Sequence, residues 1–175
     1  MSIQILFLLL TFTASSPLTN DNNDKKAFSE AYHYLNNITV KSSDGTNYSI
    51  FVNGNAATLF NPDGTQSTIE YRGNSSYLIA CDGTTSTINH TKMSSNVFNS
   101  DGTRMIVNHM SNSSLCYTEI GKHTVSHTFG NSVEYCNKKI LDVLIHRNWF
   151  LQQKAANVIA QLNEVQEEYS KEEEK

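Results

Sequence analysis

Asp63-Gly64-Thr65-Gln66-Ser67-Thr68-Ile69-Glu70-Tyr71-Arg72-Gly73-Asn74 holds one strand-like segment between two turn signals, and it is one copy of a repeat. Asp-Gly-Thr recurs at Asp44-Gly45-Thr46, Asp63-Gly64-Thr65, Asp82-Gly83-Thr84 and Asp101-Gly102-Thr103, each 19 residues after the last. The next step lands on Gly121, where Ile120 and Lys122 replace Asp and Thr. Asn55, Asn74, Asn112 and Asn131 follow the same period, with Met93 breaking the series. A fixed period of this length marks an array of one supersecondary unit. Gly after Asp, and the Gly-Asn or Ser-Asn pairs, supply the positive backbone angles that hairpin turns need. The segments between are rich in β-branched and aromatic residues, as strands are. The pattern predicts a mainly β fold, an antiparallel meander of about five hairpin repeats and roughly ten strands.

The repeat columns assign the faces. Ile50, Ile69, Ile88, Val107 and Ser126 share one column, and the opposite face carries Ser49, Thr68, Thr87 and Ile106 in one column and Phe51, Glu70, Asn89 and Asn108 in another, mostly polar, which is half-buried alternation. The other strand of each unit has two adjacent apolar columns. Val40, Leu59, Leu78, Val97 and Cys116 form one; Phe60, Ile79, Phe98 and Tyr117 form the next. Adjacent residues point to opposite faces, so the sheet is apolar on both sides at these strands. A single-layer or helix-covered sheet is expected, with a partner on the uncovered side.

The flanks read as helical. Phe28, Ala31, Tyr32 and Leu35 predict a short helix over 25–36, with Asp24 as its cap. Leu141, Asn148, Ala155, Leu162 and Tyr169 repeat every seven residues, as do Leu144, Leu151, Val158 and Val165. No Pro or Gly interrupts 138–175, so one long amphipathic helix is expected, either folded back on the sheet or paired in a coiled coil with a second chain. Folding back is favoured for its first half and an exposed or partner-bound second half for the rest.

The expected organisation is therefore a signal peptide at 1–15, a polar linker with a short helix at 16–38, a repeat domain at 39–137 and a helix with an acidic tail at 138–175. The apolar stretch from Ile5 to Phe12 has the core of a secretory signal and is too short to span a membrane, though it lacks a preceding Lys or Arg. The net charge of −4 resides wholly in the six Glu and two Lys after residue 163. With no basic stripe, nucleic-acid binding is not expected. Sequons stand at Asn37, Asn47, Asn74, Asn89 and Asn112, about as many as 20 Asn and 36 Ser and Thr produce by chance. They are candidate N-glycosylation sites and permit secretion without establishing it. Cys81, Cys116 and Cys136 cannot all pair within one chain, and Cys116 and Cys136 fall in adjacent columns that point to opposite faces.

Four features of the sequence bear on chemistry. His90 and His109 share a column but sit two strands apart, ~9–10 Å between backbones, too far for one metal ion. His123 and His127 share a face and are also well separated. The Asp-Gly turns carry one carboxylate per unit and need no calcium. No Ser-His-Asp, Cys-His or paired-carboxylate pattern is evident in the chain, so no catalytic residue, metal or cofactor is expected.

Phe60-Asn61-Pro62-Asp63-Gly64-Thr65 followed by a strand resembles the unit of the G-box domain of centriolar assembly scaffolds, and related hairpin repeats occur in axonemal proteins. Over residues 39–136 the resemblance implies a free-standing sheet, wet on both faces, that docks partner peptides. The leading expectation is a non-enzymatic secreted or surface protein, structural or for interaction. It would bind protein partners at sheet edges or through its helix, which also offers a route to a homo-oligomer. The alternatives are an intracellular cytoskeletal or ciliary scaffold, and a glycan-binding module using Tyr48, Tyr71 and Tyr77.

Overall fold

The computed structural model describes residues 27–34, 36–128 and 135–173; the expected signal peptide, Asn131 and the side chain of Cys136 lie outside them. Eleven strands form a closed barrel, in chain order around the wall. They are β1 (Ala27–Tyr34), β2 (Asn37–Ser42), β3 (Asn47–Asn53), β4 (Ala56–Phe60), β5 (Gln66–Arg72), β6 (Ser75–Ile79), β7 (Thr85–His90), β8 (Ser94–Asn99), β9 (Arg104–His109), β10 (Ser113–Thr118) and β11 (Gly121–Thr128). One helix, α1, runs from Tyr135 to Glu173.

The meander is as the repeat predicts, but three expectations are corrected. No helix forms over 27–34. That segment is β1, with Ser29 and Ala31 buried and Tyr32 and Tyr34 exposed, because alternation there competes with the helical spacing and the barrel needs one more strand. β1 pairs antiparallel with β2 and parallel with β11, from Ala27 opposite His123 to Tyr32 opposite Thr128. That seam closes the sheet into a barrel, so it is not open, and the helix that covers it lies on its inner face. The free edges expected for strand addition are consequently paired. The β domain also begins earlier, at Ala27, and the helix begins at Tyr135.

Each Asp-Gly turn is built the same way. In the β4–β5 turn Asn61 N–H donates to Thr65 O and Gly64 N–H to Asn61 O, at 2.9 and 3.0 Å. Asp63 Oδ1 accepts from the Thr65 amide at 2.9 Å and from its hydroxyl at 2.7 Å. This is a three-residue loop whose third residue is left-handed, with Gly64 at φ +83° and open space around its missing Cβ. Gly64→Val therefore meets backbone strain and no clash. We expect it to cost about 1–2 kcal/mol and to lower the thermal midpoint by a few degrees. An unchanged midpoint would show that this turn does not need the left-handed backbone.

The last turn departs from the rule. Asn61 and Thr65 bracket the β4–β5 loop, with Phe60 opposite Gln66, whereas Thr118 of β10 lies opposite Gly121 with only two residues between. Relative to the 19-residue period, β11 has slipped by one position. A one-residue slip exchanges the faces of a whole strand. Val125 is buried in place of the expected Ser126, and His123 and His127 turn inward with it.

The first half of α1 lies inside the barrel. Every residue from Lys139 to Phe150 is buried, and the helix touches β4 and β5 on one side and β9, β10 and β11 on the other. Eleven strands about 4.8 Å apart and tilted by about 40° enclose a backbone radius on the order of 11 Å. That leaves room for one helix and one layer of side chains, which eight strands would not. Ile140, Leu141, Leu144 and Ile145 meet a wall of Ile50, Leu59, Ile69, Leu78, Ile88, Val97 and Val107. The outer column Phe60, Ile79, Phe98 and Tyr117 stays on the exterior, 40–48% exposed. The apolar columns are thus buried by a helix within a closed sheet, where the sequence suggested a covering layer.

Candidate functional site

Inside the barrel, the end with the Gly-Asn turns is polar. Ser76, Ser95 and Ser114 occupy one repeat column and His90 and His109 another, so the period itself lines the wall with alternating hydroxyls and imidazoles. α1 enters here, Lys138 Nζ donating to the carbonyls of Met110 and Ser111. It brings Asp142 and His146, four residues apart and hence on one helix face, against this wall.

The side chains join in one line. Ser76 Oγ lies 2.6 Å from His90 Nε2, His90 Nδ1 lies 2.6 Å from Ser95 Oγ, and Ser95 Oγ lies 2.7 Å from His109 Nε2. His109 Nδ1 then reaches Asp142 Oδ2 at 2.7 Å, and His127 Nε2 reaches Asp142 Oδ1 at 2.8 Å. With Asp142 ionised, one proton arrangement satisfies the line with neutral imidazoles. Ser76 donates to His90, His90 to Ser95, Ser95 to His109, and His109 and His127 both donate to the carboxylate.

A second group continues down the helix. Ser114 Oγ is 2.9 Å from His146 Nε2, His146 meets the edge of His123 at 5.1 Å, and His123 stacks on Trp149 at 4.7 Å. Ser29 Oγ is 3.3 Å from His123 Nε2.

Electrostatics follow from burial. Burial lowers the His90 pKa to about 4, with the charges of Lys139 and His109 adding to it, and lowers that of His123 to about 4. Burial pushes His146 further below the ordinary value. For Asp142, burial acts to raise the pKa, but hydrogen bonds from His109 and His127 outweigh it and hold the carboxyl below the usual carboxylate range. The helix is thereby tied to the wall by a carboxylate with two imidazole donors.

Ser95, His109 and Asp142 have the connectivity of a nucleophile, base and orienting acid. Ser95 is fully buried and its hydroxyl is shared between two imidazoles, so no substrate carbonyl can reach it. A cavity of about 10 Å³ lies further along the barrel among Ser29, Tyr48, Asn148 and Trp149, room for about one water. No group of three metal-ligating side chains occurs among the described residues. This arrangement locks a helix in place.

The opposite mouth is where α1 leaves. Arg147 Nη2 donates to Thr84 Oγ1 at 2.6 Å, Gln152 bonds the Tyr48 hydroxyl, and Lys154 pairs with Asp101. The Asp-Gly-Thr turns thus form a collar around the emerging helix. From Ala155 on, α1 is exposed, and Val158, Leu162, Val165 and Tyr169 are 53%, 59%, 47% and 67% exposed.

The sequence-derived candidates are distributed as follows. All five sequon asparagines, Asn37, Asn47, Asn74, Asn89 and Asn112, face outward and are exposed. The hydroxyls of two of these sequons, Ser76 and Ser114, are the buried partners of His90 and His146, which gives those sequons a structural origin as well. Tyr48 and Tyr71 point into the barrel, Tyr71 lying 5.2 Å from the His90 ring, whereas Tyr77 is outside; the three rings form no platform. His90 and His109 are bridged by the Ser95 hydroxyl. Cys81 and Cys116 are free. The serine column and the Asp142–His146 pair escaped the sequence reading, although a carboxylate and an imidazole in an otherwise apolar helix segment are the signal of a buried polar partner.

No protein-family model, no curated protein and no solved structure matches this chain.

Proposed function

We propose that this is a non-enzymatic interaction protein, secreted or on a cell surface, whose barrel serves as a rigid mount for the outer half of α1. The observation that carries the reading is the exposed seam of Val158, Leu162, Val165 and Tyr169 on a helix anchored at its other half by a buried network. Four large apolar side chains on one stripe are a surface awaiting a partner helix. The outward placement of all five sequon asparagines and the apolar N-terminal stretch support the extracellular setting. No described helix is long and apolar enough to cross a membrane.

Two measurements test the two halves of this reading. Deleting residues 158–175 should leave the barrel's thermal midpoint within about 2 °C of the full chain, because the side chains from Val158 to Lys171 are exposed. A collapse of the midpoint would make the arm part of the fold and end its role as a display element. The intact mass from a secreting eukaryotic host should lack roughly the first 15 residues and fall on enzymatic removal of N-glycans. A full-length, unmodified mass would place the protein inside the cell.

A further inference from the structure

We propose that the β1–β11 seam is an acid-operated latch: protonation of the imidazoles beside it parts the two strands, opens the barrel and frees the buried half of α1. This goes beyond the display role of the outer helix and does not depend on it.

The placement of the histidines is the first observation. The chain has six, and all six stand on the inner face of the wall or on the enclosed part of α1. Five are buried and His33 is half-buried. His33, His123 and His127 belong to the two strands of the seam itself. Ala27 lies opposite His123 and Ala31 opposite His127, and His33 follows Ala31 on the same face. His123 Nε2 meets Ser29 Oγ across the seam at 3.3 Å. Histidine is the side chain whose ordinary titration lies between neutral and mildly acidic pH.

The second observation is the charge that an added proton would meet there. Lys139, Asp142 and His146 of α1, His109 of β9 and His90 of β7 share this end of the barrel, with Tyr71 of β5 beside His90. Cys116 of β10 lies opposite His123, and burial pushes its thiol up to about 12, so it stays neutral. From β2 the seam is faced by Ile38 and Val40, which carry no charge. Asp142 is the one buried carboxylate among the described residues, and its two oxygens already take His109 Nδ1 and His127 Nε2. It can offset about one added charge, and every further imidazolium faces Lys139 and its own neighbours. Burial and the charge of His127 lower the His33 pKa, against the pull of Asp142.

The third observation is which part of the wall can give way. Ten of the eleven strand pairs are antiparallel neighbours in the chain, whereas β1 and β11 are parallel and close the whole barrel sequence into a ring. Parallel ladders are slightly weaker per residue, and this one carries the largest loop-closure cost. Among the described residues no backbone hydrogen bond joins α1 to a strand, so side chains alone hold the helix. When β11 moves, His127 withdraws one of the two donors from Asp142 and His123 leaves Trp149. β1 remains paired with β2, and the apolar face of Ile140, Leu141, Leu144 and Ile145 is bared.

Hydrogen exchange of the full chain, corrected for the intrinsic rate at each pH, tests the order of events. As the pH falls from about 6.5 to about 4.5, β1, β11 and the first half of α1 should lose at least about tenfold in protection before β4 to β8 do. Protection lost equally in all strands, or retained in β1 and β11 throughout, overturns the proposal. A staple tests the cause. Glu30 and Ser126 are paired across the seam on its outer face, and strands about 4.8 Å apart suit a disulfide. Glu30→Cys with Ser126→Cys, oxidised, should lower the midpoint pH of the Trp149 fluorescence change by about one unit or more, and reduction should restore it. A midpoint that the staple leaves in place overturns the latch. Should the disulfide fail to form, the order of exchange in the unaltered chain still decides.

Discussion

Asp142→Ala is expected to cost on the order of 3–5 kcal/mol, a large part of the stability of a domain this size. Its carboxylate is fully buried and bridges His109 Nδ1 and His127 Nε2 at 2.7 and 2.8 Å. Truncation leaves two buried imidazole donors facing a space that no other side chain fills, and it removes the charge that sets the direction of hydrogen bonding back to Ser76. Asp142→Asn keeps the shape and accepts from one imidazole while its amide opposes the other, so an intermediate loss is expected. Trp149, the one Trp in the chain, stacks on His123 within the barrel, so its fluorescence during urea unfolding reports the seated helix directly. A loss below about 1 kcal/mol for Asp142→Ala, the value of an ordinary neutral hydrogen bond, would show that the network does not hold the helix.

Acid should release what Asp142 holds. His90 and His123 titrate at about 4 in the fold and His146 lower still, whereas an unfolded imidazole titrates at about 6.5. The folded state therefore binds fewer protons than the unfolded state throughout that window. The stability these groups contribute is complete above about pH 6.5 and drains away as the pH falls towards 4. For His123 alone the loss by pH 4 is on the order of 3 kcal/mol. The neighbouring charges are Lys139 and Asp142. Lys139 opposes protonation of His90, and Asp142 favours it at His146 without overcoming burial. Below about pH 4 the Asp142 contribution is lost as well, since its folded pKa lies below the unfolded one. The urea midpoint should thus fall steadily from pH 7 to 4, and His123→Phe, which keeps the stack on Trp149, should reduce the slope. A midpoint that is flat from pH 7 to 4.5 would contradict neutral burial of these histidines.

Much of this molecule is legible in its repeat. Asp-Gly-Thr marks the turns, and the alternation of Ile69, Glu70 and Tyr71 marks a strand with one buried face. The steps from Ser76 to Ser95 and from His90 to His109 already contain the wall of the polar site. What escaped a reading of columns were features that depend on an exception. Ile120 and Lys122 in place of Asp and Thr shorten a turn, and the resulting slip turns His123 and His127 inward. Phe28, Ala31, Tyr32 and Leu35 satisfy a helical spacing, yet β1 is a strand, because propensity over eight residues is outweighed by the hydrogen bonds available between β2 and β11.

The local chemistry of the chain by itself determined the hairpins, their register, the long helix and the exposed Asn side chains, since each depends on residues within about 20 positions of one another. Closure, the path of the helix and the joining of Ser76 to His127 were decided only in three dimensions. They bring Ala27 to His123, Asp142 to His109 and Gln152 to Tyr48, contacts between residues far apart in sequence whose pairing follows from the circumference of eleven strands and the width of one helix.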